Sequence, residues 1–190
     1  RLLAERVSLY QKTNIVQAEK FSDLLNRSLS SYLKGLLTNE EVIQELLNLA
    51  KEISSSESAG NDLGLTREEK SFYDALTKPQ AVQDVYTNEQ LVAMTKELTE
   101  ALRKNRTIDW QKKESARAGM RKMIKRLLKK YHYPPEEAAN ALETVIRQCE
   151  QWTDNEDTSS EPKLYSLQES SYSMAAESKT KYGNVENKTK

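Results

Sequence analysis

Apolar residues in this chain recur at three- and four-residue spacing instead of at every second position, so the pattern predicts helices over most of its length. Leu2 to Gln11 reads as a short helix. Ile15 to Leu37 reads as a longer one, with Phe21, Leu24, Leu25, Leu29, Tyr32, Leu33 and Leu36 in a stripe at helical spacing and Gly35 at its fraying end. Thr38 followed by Glu41 has the capping-box arrangement, in which each side chain satisfies a free backbone amide of the other. Val42, Ile43, Leu46, Leu47, Leu49 and Ile53 follow it, so the two helices are expected to form an antiparallel hairpin.

The next stretch, Ser54 to Gly64, is rich in Ser and Gly and poor in large side chains, which predicts a flexible linker and a subdomain boundary. Thr66 with Glu69 and Thr87 with Gln90 then repeat the capping box. The first precedes Phe72, Tyr73 and Leu76, in a helix that Pro79 ends or interrupts by removing an amide donor. The second opens a helix from Leu91 to Arg103, with Leu91, Met94, Leu98, Ala101 and Leu102 facing inward. Pro134 and Pro135 separate the two helices beyond it, and Ala138, Leu142, Val145, Ile146 and Cys149 form the buried stripe of the last. From Thr153 onward aliphatic residues become sparse and Ser, Thr, Glu and Lys dominate, which predicts a mostly irregular tail with short extended pieces at Leu164 to Leu167 and Tyr172 to Met174. The expected organisation is an N-terminal hairpin over residues 1–53, a linker over 54–65, a helical domain over 66–152 and a polar tail over 153–190. The fold class is all-α, a multi-helix bundle.

Composition adds few constraints. The 190 residues carry 29 Lys and Arg against 29 Asp and Glu, with 37% hydrophobic residues and only five Gly and four Pro, as suits a helical protein. There is no apolar run of about eighteen residues to cross a membrane. A single cysteine, Cys149, cannot form an internal disulfide and suits a reducing compartment, so a cytoplasmic location is expected. The chain opens on Arg1 inside a helical pattern, which is the expectation for a segment of a longer polypeptide.

Charge distribution is more informative than net charge. Residues 103–131 hold twelve of the Lys and Arg against only Asp109 and Glu114. At about 100° per residue, Ala116, Met120, Met123, Ile124, Leu127, Leu128 and Tyr131 share one arc, with Arg121, Lys122, Lys125, Arg126, Lys129 and Lys130 mostly opposite. This predicts a single basic element with one buried face, capped at its start by Asp109. Most charge runs on helices only keep a surface solvated. Here the charges share one sign and repel each other unless something neutralises them, which favours phosphates or an acidic partner. The candidate contact residues are Arg103, Lys104, Arg106, Lys112, Lys113, Arg117, Arg121, Lys122, Lys125, Arg126, Lys129 and Lys130.

No catalytic signature accompanies them. The sequence lacks a phosphate-binding loop, a dinucleotide fingerprint, cysteine pairs at metal spacing and a nucleophile elbow. His132 is the only histidine, and in the turn YHYPP a helix-capping or packing role is favoured over a base or ligand. The triplets Glu68-Glu69-Lys70, Glu161-Pro162-Lys163 and Glu177-Ser178-Lys179 match half of a nuclease metal site, but none follows an aspartate on a strand. Trp110 and Trp152 read as packing residues before base-stacking platforms.

The ordered series FYDAL at Phe72 to Leu76, LRKNRTIDW at Leu102 to Trp110, ESARAGMRKMIKRLLKKY at Glu114 to Tyr131 and YPPEEAANALETVIRQCE at Tyr133 to Glu150 strongly resembles the carboxyl-terminal helical region of the restriction subunit of type I restriction-modification enzymes. EEVIQELLNLAKEI at Glu40 to Ile53 resembles the helix leading into that region. The resemblance spans roughly Ile15 to Trp152 and leaves out the tail. It implies a parent that is an ATP-dependent DNA translocase and endonuclease using ATP and Mg2+, with the nuclease and motor motifs elsewhere and no cofactor in this segment. It also implies attachment to the methyltransferase and specificity subunits beside double-stranded DNA, contacted without sequence preference. Docking on protein alone, with the basic row meeting carboxylates, is the alternative.

Overall fold

A computed structural model describes residues 2–107 and 110–159. Eight helices occur among them: α1 (Leu2–Thr13), α2 (Ile15–Leu33), α3 (Asn39–Asp62), α4 (Arg67–Thr77), α5 (Gln80–Val85), α6 (Asn88–Asn105), α7 (Glu114–Lys130) and α8 (Pro135–Ser159). No strand occurs among the described residues, so the all-α reading is correct.

The predicted caps are the ones used. Thr38 with Glu41, Thr66 with Glu69 and Thr87 with Gln90 form complete capping boxes at the starts of α3, α4 and α6. The ends of α2 and α3 close by a matching device. Gly35 and Gly64 have φ values of 72° and 62°, which lets the amides of Leu36 and Leu65 fold back onto the carbonyls of Ser31 and Gly60 at 2.9 Å.

Four readings of the pattern change. The Ser- and Gly-rich stretch at 54–65 is helix as far as Asp62, because α3 continues along its own hydrogen-bond ladder and buried Gly60 lets the Lys70 side chain lie close to its backbone. Helix α8 likewise runs to Ser159, into the stretch assigned to the tail; the extended pieces expected at 164–167 and 172–174 lie outside the described residues. An additional helix, α5, fills the stretch after Pro79, six residues being too short to show a period. The apolar stripe of α2 is only partly core: Phe21 is fully buried, whereas Leu29, Tyr32, Leu33 and Leu36 are exposed.

Two cores result. The larger joins Phe72, Leu76, Val82, Leu91, Met94, Leu98, Leu102, Trp110, Ile124, Val145 and Ile146 across α4 to α8 and their connections. The smaller joins Val7, Phe21, Leu49 and Ile53 of α1, α2 and α3. Between them Val16 of α2 packs against the larger core, and polar contacts fix the join. Asn14, the single residue separating α1 from α2, caps α2 through the Gln17 amide at 3.1 Å and donates to buried Asp74 of α4 at 2.7 Å. Glu19 of α2 binds Lys78 at 2.9 Å and Arg147 of α8 at 3.1 Å. These bonds fix how the hairpin of α2 and α3 leaves the main bundle.

Candidate nucleic-acid interface

The basic run is not one element. It begins in the last turn of α6, crosses a turn and continues as α7, so its twelve cations point in several directions. Asp109, the expected cap, lies outside the described residues; the cap position of α7 is Lys113, which makes no side-chain cap hydrogen bond. Helix α7 ends with Lys129 and Lys130 in its last turn, where cations meet the negative end of the helix dipole. His132 then takes a left-handed conformation with φ of 56°, while its amide and that of Tyr133 bind the carbonyls of Lys129 and Leu128. The sole histidine is thus a chain-reversing residue at a helix end, as the turn sequence suggested.

Met120, Ile124, Leu127 and Leu128 bury the inner face of α7. The cations bordering that face are bound within the domain. On the side of α8, Arg117 meets Glu150 at 2.7 Å and Arg121 meets Glu143 at 3.0 Å. On the side of α6, the Lys130 ammonium donates to Glu97 at 2.6 and 2.8 Å, and the Tyr131 hydroxyl donates to the same carboxylate at 2.7 Å. Hydrogen bonds from Lys130 and then Tyr131 hold the Glu97 carboxyl below the usual range. The same Glu97 carboxylate pushes the Tyr131 phenol up to about 12.

Upstream candidates are engaged too. Arg103 binds Glu68 of α4, and Lys104 binds Glu100 at 2.6 Å. The Arg106 guanidinium lies 4.3 Å above the Trp152 ring, which Arg103 approaches at 5.8 Å and Phe72 meets edge-on at 5.8 Å. Trp152 is therefore a packing platform for cations of its own chain, and Trp110 is fully buried with its indole donating to Thr153 at 3.2 Å. Lys112 and Lys113 are exposed in the approach to α7.

Four cations stand apart. Lys122, Lys125, Arg126 and Lys129 are all exposed and have no hydrogen bond or ion pair with any described residue. Their spacing of three, four and seven places them in one stripe on the outer surface of α7, opposite Ile124, along about 10 Å of helix. The division is not legible in the local pattern, because Glu97, Glu143 and Glu150, which bind Lys130, Arg121 and Arg117, come from distant parts of the chain. A family profile described as type I restriction enzyme HindI endonuclease subunit-like, C-terminal, matches residues 1–155.

The chain belongs to this family. It is 38% identical over 151 residues to the type I restriction enzyme HindI endonuclease subunit of Haemophilus influenzae, an alignment covering 80% of this chain and 14% of that protein. It is 30% identical over 131 residues to the putative type I restriction enzyme MjaIXP endonuclease subunit of Methanocaldococcus jannaschii, covering 68% of this chain and 12% of the relative. The chain thus spans about one seventh of the curated relatives that it matches. No solved structure matches it.

The segment is accordingly a carboxyl-terminal region of a type I restriction endonuclease subunit. No described helix is long and apolar enough to cross a membrane. Among the described residues no group of three or more His, Cys, Asp and Glu side chains is placed to hold a metal ion, and the sequence has no phosphate-binding loop.

Proposed function

We propose that this helical region attaches an ATP-dependent translocase and endonuclease to the methyltransferase and specificity subunits of a type I restriction enzyme, and touches double-stranded DNA beside that junction without reading its sequence. The observation that carries the DNA contact is the outer stripe of α7. Lys122, Lys125, Arg126 and Lys129 carry four positive charges with no partner among the described residues, while the flanking cations are bound to Glu97, Glu143 and Glu150. Phosphates of a duplex would neutralise that stripe and release condensed counterions, giving an affinity that depends on salt and not on sequence. ATP and Mg2+ belong, on this reading, to other parts of the subunit.

Four phosphate contacts predict a slope of log affinity against log salt of about −3.6, hence a loss of about 100-fold between 50 and 200 mM salt. Fluorescence anisotropy with a random duplex measures it, beside a variant with Lys122, Lys125, Arg126 and Lys129 changed to Glu. A steep slope lost in the variant supports the DNA contact. Absence of binding by either form, with the variant failing to assemble on the methyltransferase core, transfers the stripe to an acidic protein surface and rejects the DNA contact.

A further inference from the structure

The second exposed surface of unusual character is on the hairpin of α2 and α3. Leu29 is 41% exposed, Leu33 83%, Leu36 72%, Ile43 57% and Leu47 52%. These residues do not point randomly. In α2 the buried Phe21 marks the direction of the smaller core, and at about 100° per residue Leu29 and Leu33 lie a quarter-turn or slightly more around the helix from it. In α3 the buried Val42, Leu49 and Ile53 mark the inward direction, and Ile43 and Leu47 lie a similar rotation from it in the same sense. Because the helices are antiparallel, equal rotations in the same sense turn both sets to the same side of the hairpin.

Within about 80° to 140° of the inward direction, over residues 22–33 and 43–54, that side carries Ser22, Asn26, Leu29 and Leu33 from α2, and Ile43, Leu47, Ala50 and Ser54 from α3. None of these residues is charged, in a chain of which 31% is charged. Charge begins at the edges of this strip, with Asp23, Glu40 and Lys51, and fills the opposite side with Arg27, Glu45 and the Lys20–Glu52 ion pair at 2.5 Å. The uncharged flank also continues an existing interface. One and two turns nearer the start of α2, the same flank presents Ile15 and Ala18, both buried, and Glu19, which binds Lys78 and Arg147 of the main bundle. The main bundle covers the base of this face and leaves its outer half open.

Size decides between occupants. Two helices side by side over about fourteen residues present a face of about 400 Å². A stable association between free partners needs about 800 Å² from each, so a second copy of this chain would be held weakly. Nucleic acid is disfavoured by the lack of cations. An element attached to the same polypeptide needs far less area, because tethering supplies its effective concentration. The HindI subunit has 86% of its length outside the matched segment, which leaves room for such an element.

We infer that the uncharged face of the α2–α3 hairpin is an intramolecular docking surface for an apolar helical strip elsewhere in the endonuclease subunit, seated in the corner between the hairpin and the main bundle. The inference uses the family membership and does not depend on the DNA contact of α7. It makes the hairpin the part of this region that sets its position on the rest of the subunit.

Hydrogen exchange followed by mass spectrometry tests it, comparing this chain alone with an endonuclease subunit of the length its relatives have. Peptides covering 26–36 and 43–50 should exchange at least tenfold more slowly in the longer subunit, without methyltransferase or DNA. In the longer subunit, the double variant Leu33→Gln, Ile43→Gln should restore fast exchange. In the isolated chain the same variant should leave the melting temperature within about 2 °C, both residues being exposed there. Equal exchange in both proteins overturns the inference. So does protection appearing only when methyltransferase or duplex DNA is added, or protection of the isolated chain that rises with concentration as it sediments as a dimer.

Discussion

Gln148 of α8 accepts a hydrogen bond from the backbone amide of Ile15 at 2.9 Å, across 133 residues of chain. Its amide nitrogen donates to the carbonyl of Thr13 at 3.0 Å, so one side chain spans the break between α1 and α2. Gln148 is 1% exposed, and the Ile15 amide that it binds is buried, while the Thr13 carbonyl is part-buried. Changing Gln148 to Leu strands a buried donor and a part-buried acceptor, at a cost of about 2 to 3 kcal/mol. The melting temperature should fall by roughly 5 to 10 °C. Gln148→Glu is the informative companion, since it keeps an acceptor for Ile15 and loses the donor to Thr13. It should fall between the wild type and Leu in chemical denaturation at pH 7, and equality with wild type would show that the Thr13 bond contributes nothing.

Asp74 poses the same problem with a charge. It is 7% exposed and accepts from Asn14 at 2.7 Å and from the Lys70 ammonium, whose own side chain is 13% exposed. Removing one member of a buried pair leaves the other charged and desolvated, so Asp74→Ala should cost about 3 to 5 kcal/mol. Lys70→Met in the Asp74→Ala background removes the orphan ammonium and should recover a large part of that loss. A double-mutant cycle by urea denaturation measures the recovery; a simple sum of the two single losses would show that the pair is not coupled.

Both relationships explain how far the fold was legible in the sequence. The three capping boxes, the Pro134-Pro135 break and the inner faces of α6, α7 and α8 depend on residues within a few positions of one another, and each is found as expected. What local pattern could not supply was partnership across the chain. Glu97, Glu143 and Glu150 occupy three of the basic residues, Trp152 stacks with a fourth, and Asn14 meets Asp74, all through tertiary packing. The Ser- and Gly-rich stretch at 54–64, expected as a linker, is helical as far as Asp62 for a related reason. Its weak helix propensity yields to the continuing α3 ladder and to the contact between Gly60 and Lys70.

The αL residue at the end of α7 offers a stabilising change. Gly35 and Gly64 occupy the equivalent positions after α2 and α3, whereas His132 holds a φ of 56° with a Cβ present. Glycine adopts that region without the side-chain penalty, so His132→Gly should stabilise the domain by about 0.5 to 1 kcal/mol. The measurement is equilibrium denaturation at pH 7.5. Destabilisation instead would show that the exposed imidazole makes a contact worth more than the backbone strain.

Acid and alkali should act through two different sets of groups. The Lys78 hydrogen bond, with Arg147 beside it, lowers the Glu19 carboxyl, and Lys130 with Tyr131 lowers that of Glu97. A depressed folded-state value means the stabilisation is present above the unfolded carboxyl range, near 4.3, and is lost as pH falls below it. Tyr131 has the opposite sign: its phenol rises to about 12, so its contribution is full below about 10 and is lost as pH climbs toward 12. Melting temperatures from pH 3 to 11.5 should show both shoulders. Glu97→Gln should flatten both, because the Glu97 carboxylate itself raises the Tyr131 phenol.

Two charge reversals on α7, alike in net charge, separate binding from architecture. Lys125 points outward with no partner among the described residues, whereas Arg121 is bound to Glu143 at 3.0 Å. Lys125→Glu should lower affinity for a random duplex several-fold at 50 mM salt and change stability by less than about 0.5 kcal/mol, as exposed substitutions without contacts do. Arg121→Glu sets two carboxylates against each other and should destabilise by about 0.5 to 1 kcal/mol, the scale of a partly exposed pair. Glu143→Lys in that background rebuilds the pair in reverse and should restore the lost stability. Anisotropy and denaturation of the same four proteins provide both readouts. If Arg121→Glu weakened DNA binding as much as Lys125→Glu while Glu143→Lys restored stability without affinity, Arg121 would belong to the contact stripe, and the division of the basic residues into bound and free sets would have to be redrawn.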